Sequence, residues 1–197
     1  MRLPKTAFTS RPWRIHEIAG DFRVEDVWAL PTPGGPDDLD RLVRQFAEGT
    51  GDPVPSPVAR VLFAVRRGLG RLFGWDKPDG GLGTRVPTLR DRLPADLRTG
   101  ERGPDLRSAP FTSVFQTHDE WAAESANRTV HGVLHIGWVP DGNGGHHGQM
   151  TVLVKPNGRL GALYMLGIKP FRYLGVYPAL IRSIGREWRE NTPNATS

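Results

Sequence analysis

Two histidines four residues apart, His131 and His135 in the stretch HGVLH, have the spacing with which zinc peptidases hold their metal. On a helix that spacing sets both imidazoles on neighbouring turns, with Cβ atoms about 5–6 Å apart, within reach of one ion. On a strand, a rise of ~3.3 Å per residue leaves them on one face but ~13 Å apart. One ion cannot bridge that gap. The surrounding TVHGVLHIGWV is rich in Val, Ile, Thr and Trp, carries two glycines and lacks helix-cap signals, all of which favour a strand. The glutamate that follows the first histidine in zinc peptidases and serves as their general base is replaced here by Gly132. The pattern argues against a metal site, and none is expected.

Strand alternation places Thr129, His131, Val133 and His135 on one face and Val130, Leu134, Ile136 and Trp138 on the other, which is the more apolar. Two readings follow. In the plainer one the histidines stand at the sheet surface, facing solvent or satisfied there. In the other they line a half-polar cavity, where a neutral imidazole binds or transfers a proton. Glu120 and Glu124, on the preceding segment, are the candidate carboxylate partners, although pairing register is not fixed by the sequence. His146 and His147 fall in the glycine-rich tip PDGNGGHHG and are expected in a solvated hairpin loop. The chain has no cysteine, which removes disulfides, thiolate metal sites and cysteine nucleophiles. No G-x-S-x-G, P-loop or dinucleotide fingerprint occurs.

The elements that must position these residues change character along the 197-residue chain. Residues 13–30 suggest an N-terminal strand with a turn or short helix. DDLDRLVRQFAEG then reads as an amphipathic helix, with an aspartate cap, a stripe of Leu39, Leu42, Val43 and Phe46, and Gly49 as its stop. A second helix is expected from Ser56 and Pro57 onward, with Val58, Val61, Leu62, Val65, Leu69 and Leu72 opposed by Arg60, Arg66, Arg67 and Arg71. Its basic face could lie on an anionic membrane. A core-facing helix with solvated arginines is the preferred reading.

Residues 76–110 hold five prolines and five glycines, a length and composition suited to a functional flap or a surface loop. Within them Leu89, Leu93 and Leu97 keep a four-residue spacing, so a short helical piece is expected, interrupted at Pro94. From residue 111 the period becomes strand-like: FTSVFQT, a turn at HDE, one or two strands through WAAESANRTVHGVLHIGWV, a reversal, and QMTVLVKP. Asn157-Gly158 signals a tight hairpin into RLGALYMLGI. That hairpin would put Met150, Val152, Val154, Leu163 and Met165 on one apolar face and Thr151, Leu153, Ala162 and Tyr164 on the other. Pro178 can open a last helix bearing Leu180, Ile181, Ile184 and Trp188 on one side.

The net charge is +5, with Lys5, Lys77, Lys155 and Lys169 the only lysines among 26 basic residues. The arginines are scattered among 21 acids and no nucleic-acid-binding motif accompanies them, so nucleic acid is not an expected partner. No run approaches the ~20 apolar residues of a membrane span and no apolar leader region is present. The expected setting is the cytoplasm, and the oligomeric state is left open.

ESANRTVHGVLHIGWV, QMTVLVKPNGRLG and IKPFRYLGVYPALIRSIGREW resemble the bacterial domain-of-unknown-function 2867 family, and VWALP, DDLDRL, LGRLFGWD and LRDRLP fit it too. Members of that family are similar to the helix-grip superfamily of lipid-transfer and polyketide-cyclase-like proteins. The resemblance therefore implies an α+β helix-grip domain over residues 1–197, a curved antiparallel sheet wrapped around a long C-terminal helix, with two additional N-terminal helices and a frayed tail at 191–197. It carries no catalytic residues over to this chain. The expected function is the handling of a mostly apolar small molecule. One version is an enzyme without metal or redox cofactor, a cyclase, dehydratase or isomerase acting on a polyketide-like substrate. His131, His135, Glu124 and Tyr164 would be its catalytic candidates, and Thr129, Trp138, Met150, Val152, Leu163 and Met165 would line its ligand site. The other version is a carrier or sensor without turnover.

Overall fold

The computed structural model describes residues 1–48, 82–83, 86–107, 109–126, 130–157 and 177–191. Among them the fold is α+β, built on a six-stranded antiparallel sheet. Its strands are β1 (Arg2–Leu3), β2 (Arg23–Ala29), β3 (Thr112–Gln116), β4 (Glu120–Ala126), β5 (Val130–Pro140) and β6 (His146–Pro156), in the spatial order β1-β2-β6-β5-β4-β3. β3 to β6 form the expected meander. The N-terminal β2 then pairs with β6, so the last strand of the meander lies in the sheet's interior. The helix expected at 57–73, the hairpin from Gly158 onward and the tail beyond 191 lie outside the described residues.

Each face of the sheet is covered by different elements. On one side lie α3 (Leu39–Glu48) and α5 (Tyr177–Glu190). Leu39, Leu42 and Val43 of α3, and Ile181, Ile184 and Trp188 of α5, pack there against Trp28, Trp121, Ile136, Trp138 and Met150. The stripes read from the sequence are the buried ones because residues three and four apart share a helix face. Asp38 opens α3, its carboxylate accepting from the Gly35 N–H at 2.8 Å. The two helices are tied to each other: the Arg41 guanidinium lies 3.8 Å from the Trp188 ring centroid and donates to the Trp188 carbonyl, and Gln45 donates to the carbonyl of Ile184.

The opposite face is covered by two stretches of short helices. From the N-terminus come α1 (Thr6–Thr9) and α2 (Ile15–Ile18), which bring Phe8, Trp13, Ile15, Ile18 and Phe22 onto the sheet. From the proline-rich region come a 3-10 turn (Leu89–Arg92) and α4 (Ala95–Thr99), separated at Pro94 as expected. Leu89, Leu93 and Leu97 are all buried in the same cluster. The described part of the predicted flap is thus a packed layer. Residues 101–105 continue along the outer edge of β3, where Arg102 donates to the Ser113 carbonyl, the Gln116 N–H donates to Glu101 and Asp105 accepts from the Ser113 N–H. Those bonds satisfy an edge that would otherwise offer free backbone groups.

Candidate functional site

The Val130–Pro140 segment is a strand, as its composition requires, and it holds His131 and His135 on the face covered by the short helices. Both histidines are buried, at 2% and 0% exposure, which overturns the solvent-facing form of the plainer reading. The reason is the second layer on that face, which a single strand's alternation does not reveal.

The antiparallel register of β4 and β5 pairs Ala126 with His131 and Ala122 with His135. Glu124 and Glu120 therefore sit two residues diagonal to the histidines on the same face, and both are 1% exposed. His131 Nε2 is 2.8 Å from Glu124 Oε2, and His135 Nε2 is 2.9 Å from Glu120 Oε2. An E-x-x-x-E strand against an H-x-x-x-H strand has produced the same dyad twice, one period of four residues apart. The carboxylate on one imidazole nitrogen fixes ring orientation and favours the proton on that nitrogen.

Each carboxylate also reaches the layer above. Glu120 accepts from the N–H of Arg14 at 2.5 Å and of Ile15 at 3.3 Å, where α2 begins. Glu124 accepts from the Leu89 N–H at 3.0 Å and from the Thr88 hydroxyl, where the 3-10 turn begins. Free N–H groups at a helix start are natural partners for an anion. Both dyads thus clasp a short helix onto the sheet. Burial opposes ionisation of Glu124, but the bonds from His131, Thr88 and Leu89 outweigh it and hold its pKa below the ordinary value.

His131 packs edge-on against Phe22. His135 lies between Phe8 and Trp13, with both ring centroids 5.2 Å away. No group of three or more metal-ligating side chains occurs among the described residues, and the dyads offer two isolated pairs rather than one centre.

An open pocket of about 360 Å³ lies where β5 ends, lined by Arg11, Trp13, Asp37, His118, Asp119, Trp138 and His146, with Pro12, Pro36 and Pro140. The reversal between β5 and β6 is tighter than expected, Asp141 accepting from the N–H groups of Asn143 and Gly145. His146 and His147 consequently lie in β6 and are half-buried rather than in a solvated loop.

Of the residues singled out from sequence, the structure brings His131, His135, Glu124 and Glu120 onto one face and pairs each histidine with one of the two carboxylates. Trp138 lines the pocket, its indole N–H donating to the Gly35 carbonyl at 2.8 Å. Met150 is buried on the opposite face against the helices, and Val152 is partly buried beside it. Thr129, Leu163, Tyr164 and Met165 lie outside the described residues. Residues that sequence reasoning did not find include Arg11, Trp13, His118 and Asp119, which are brought together from distant loops. Thr88 carried a recognisable capping signal in TLRD.

A family model described as "Protein of unknown function (DUF2867)" matches residues 18–179. The chain belongs to the DUF2867 family. The match spans both dyads, most of the sheet, α3 and the first turn of α5, so a member of this family carries its buried Glu–His pairs within the family region. No curated protein and no solved structure matches the chain. No helix among the described residues is long and apolar enough to cross a membrane.

Proposed function

We propose that this DUF2867 member handles a small amphipathic molecule, bound in the pocket at the end of β5. The single observation that carries this reading is the pocket's lining. Trp13, Trp138 and the prolines offer apolar walls, while Arg11, Asp119 and His146 offer a charged or polar rim. Its volume falls within the ~300–1,000 Å³ range of ligand sites, and a few polar groups among aromatic walls is their usual composition. The ligand's apolar body would lie on the indoles and its polar head among Arg11, Asp119 and His146. A helix-grip arrangement would instead seat a ligand between the sheet and α5. Side chains of Ile181, Ile184 and Trp188 pack that space in the described residues, which favours the pocket.

Binding without turnover at His131 is the better-supported version, because that imidazole is buried and committed to Glu124. The cofactor-free cyclase, dehydratase or isomerase reading rests on whether His135 can meet the ligand. Nuclear magnetic resonance with a fragment set tests the binding reading, using the indole N–H signals of Trp13 and Trp138 as reporters. Fragments are expected to shift both signals, and Arg11→Ala or His146→Ala to weaken the effect. If no fragment moves either indole signal and native mass spectrometry finds no co-purified molecule, the pocket is not a ligand site.

A further inference from the structure

The two dyads differ in what surrounds the second imidazole nitrogen. In the His135 dyad, Nδ1 is buried and has no hydrogen-bond partner among the described residues. The sheet register sets Thr151 directly opposite His135, and Gln149 opposite Gly137, two residues along on the same face. Thr151 Oγ1, Gln149 Nε2 and the Trp13 indole N–H are likewise buried without partners among the described residues. All four residues are more than nine-tenths buried. An unpaired buried polar atom costs about 1–3 kcal/mol, and native proteins keep few of them. Three on one sheet face and the Trp13 indole against them are grouped by register and ring contact around a single imidazole, and a polar occupant would satisfy them. His131 has no atom in that class.

The chemistry of the four atoms is complementary. With its Nε2 proton donated to Glu120, neutral His135 presents an Nδ1 lone pair, which is a base. Trp13 and Gln149 supply N–H donors, and Thr151 can donate or accept. We propose that His135 is a catalytic base for a neutral carbonyl compound that reaches it from the pocket, with Trp13 as the door. This rests on the pocket reading above. The Trp13 indole belongs to both places, lining the pocket and packing edge-on against His135. It lies over Gly137, where a Cβ would come within 2.6 Å of the ring. In the reaction Nδ1 takes a proton from the carbon beside the carbonyl, and the C–H electron pair moves onto the carbonyl oxygen as an enolate. The Gln149 side-chain N–H holds that oxygen. With a β,γ-unsaturated substrate the enolate is a dienolate: the carbonyl re-forms, the double bond shifts to Cα–Cβ and the γ-carbon takes the proton back from the imidazolium, giving isomerisation. With a β-hydroxyl instead, the carbonyl re-forms, a Cα–Cβ double bond forms as the C–O bond breaks, and the departing hydroxyl takes the proton and leaves as water. Glu120 is a positioning residue.

A nitrobenzisoxazole tests this on the full chain, because removal of its ring C–H proton by any base breaks the N–O bond, forms a nitrile and releases a coloured phenolate. Turnover above the buffer rate is expected from the wild type or from Trp13→Ala. His135→Gln should lower it by about a hundredfold, the scale of a single general base, while His131→Gln leaves it unchanged. A buffer-level rate in both wild type and Trp13→Ala overturns the proposal, as does a rate that survives His135→Gln. Nitrogen-15 spectra of the wild-type imidazoles give a second reading that needs no variant to fold. A proton on His135 Nδ1 in place of Nε2 also overturns it. Fragment shifts at Trp138 without nitrobenzisoxazole turnover would remove the base and leave the pocket.

Discussion

Glu124→Gln removes a buried charge while keeping its shape, and the structure specifies what is lost. One carboxylate oxygen accepts from Thr88 and the other from His131, and the Leu89 N–H lies within 3.1 Å of both. A glutamine has one acceptor oxygen and turns an NH₂ toward either the histidine or the Thr88–Leu89 cap. Each bond to the charged group is worth about 1.5–3 kcal/mol, and a donor left unpaired costs about 1–3 kcal/mol. The expected destabilisation is about 3–5 kcal/mol, the usual range for breaking one side of a buried pair. Against a typical total of about 5–15 kcal/mol the variant should still fold, with the turn at 89–92 loosened first. Urea unfolding gives the loss, and amide exchange at Leu89 locates it.

The pH dependence supplies a sign. Because the folded-state pKa of Glu124 lies below its ordinary value, its contribution is fully present above the unfolded value of about 4.3. It is lost as pH falls through the folded value. The stability gap between wild type and Glu124→Gln should therefore be level from neutral pH to about 5 and narrow on further acidification. A gap under about 1 kcal/mol at neutral pH, unchanged Leu89 exchange, or a gap that widens in acid would refute the clasp.

Glu120→Gln should speed amide exchange at Arg14 and Ile15 while sparing Leu89, since each carboxylate holds its own segment. The two variants, about 13 Å apart along the strand, should add to within about 0.5 kcal/mol, and strong non-additivity would show that the clasps are one unit. Gly185→Ala pits helix propensity, about 1 kcal/mol in favour of alanine, against a Cβ driven into the rigid Pro31 ring. Overpacking should win by about 1–3 kcal/mol, and a raised melting temperature would show that Pro31 yields. Metal analysis of the purified chain should find zinc well below one per chain, because the strand separates His131 from His135; stoichiometric zinc bound at these residues would contradict that geometry.

Periodicity was enough to identify α3, α5 and the meander of β3 to β6, because amphipathic stripes and alternating strands are local properties of the chain. The four-residue spacing of Leu89, Leu93 and Leu97 and the interruption at Pro94 were legible for the same reason, but that all three are buried was decided by the fold. The place of β2 beside β6 was not legible, since pairing residues so far apart depends on competition among all strand edges.

The sequence by itself determined that His131 and His135 share a strand face and cannot share a metal ion, because a strand's rise fixes their separation. It also supplied Glu120 and Glu124 as candidate partners. Only the tertiary structure decided that the pairs form on a β4–β5 diagonal, and that residues 1–22 and 88–99 bury them. Register, and the layer laid over it, convert two polar rows into two closed dyads. The same layer sets Trp13 beside His135 and leaves Nδ1 of that one imidazole without a partner among the described residues.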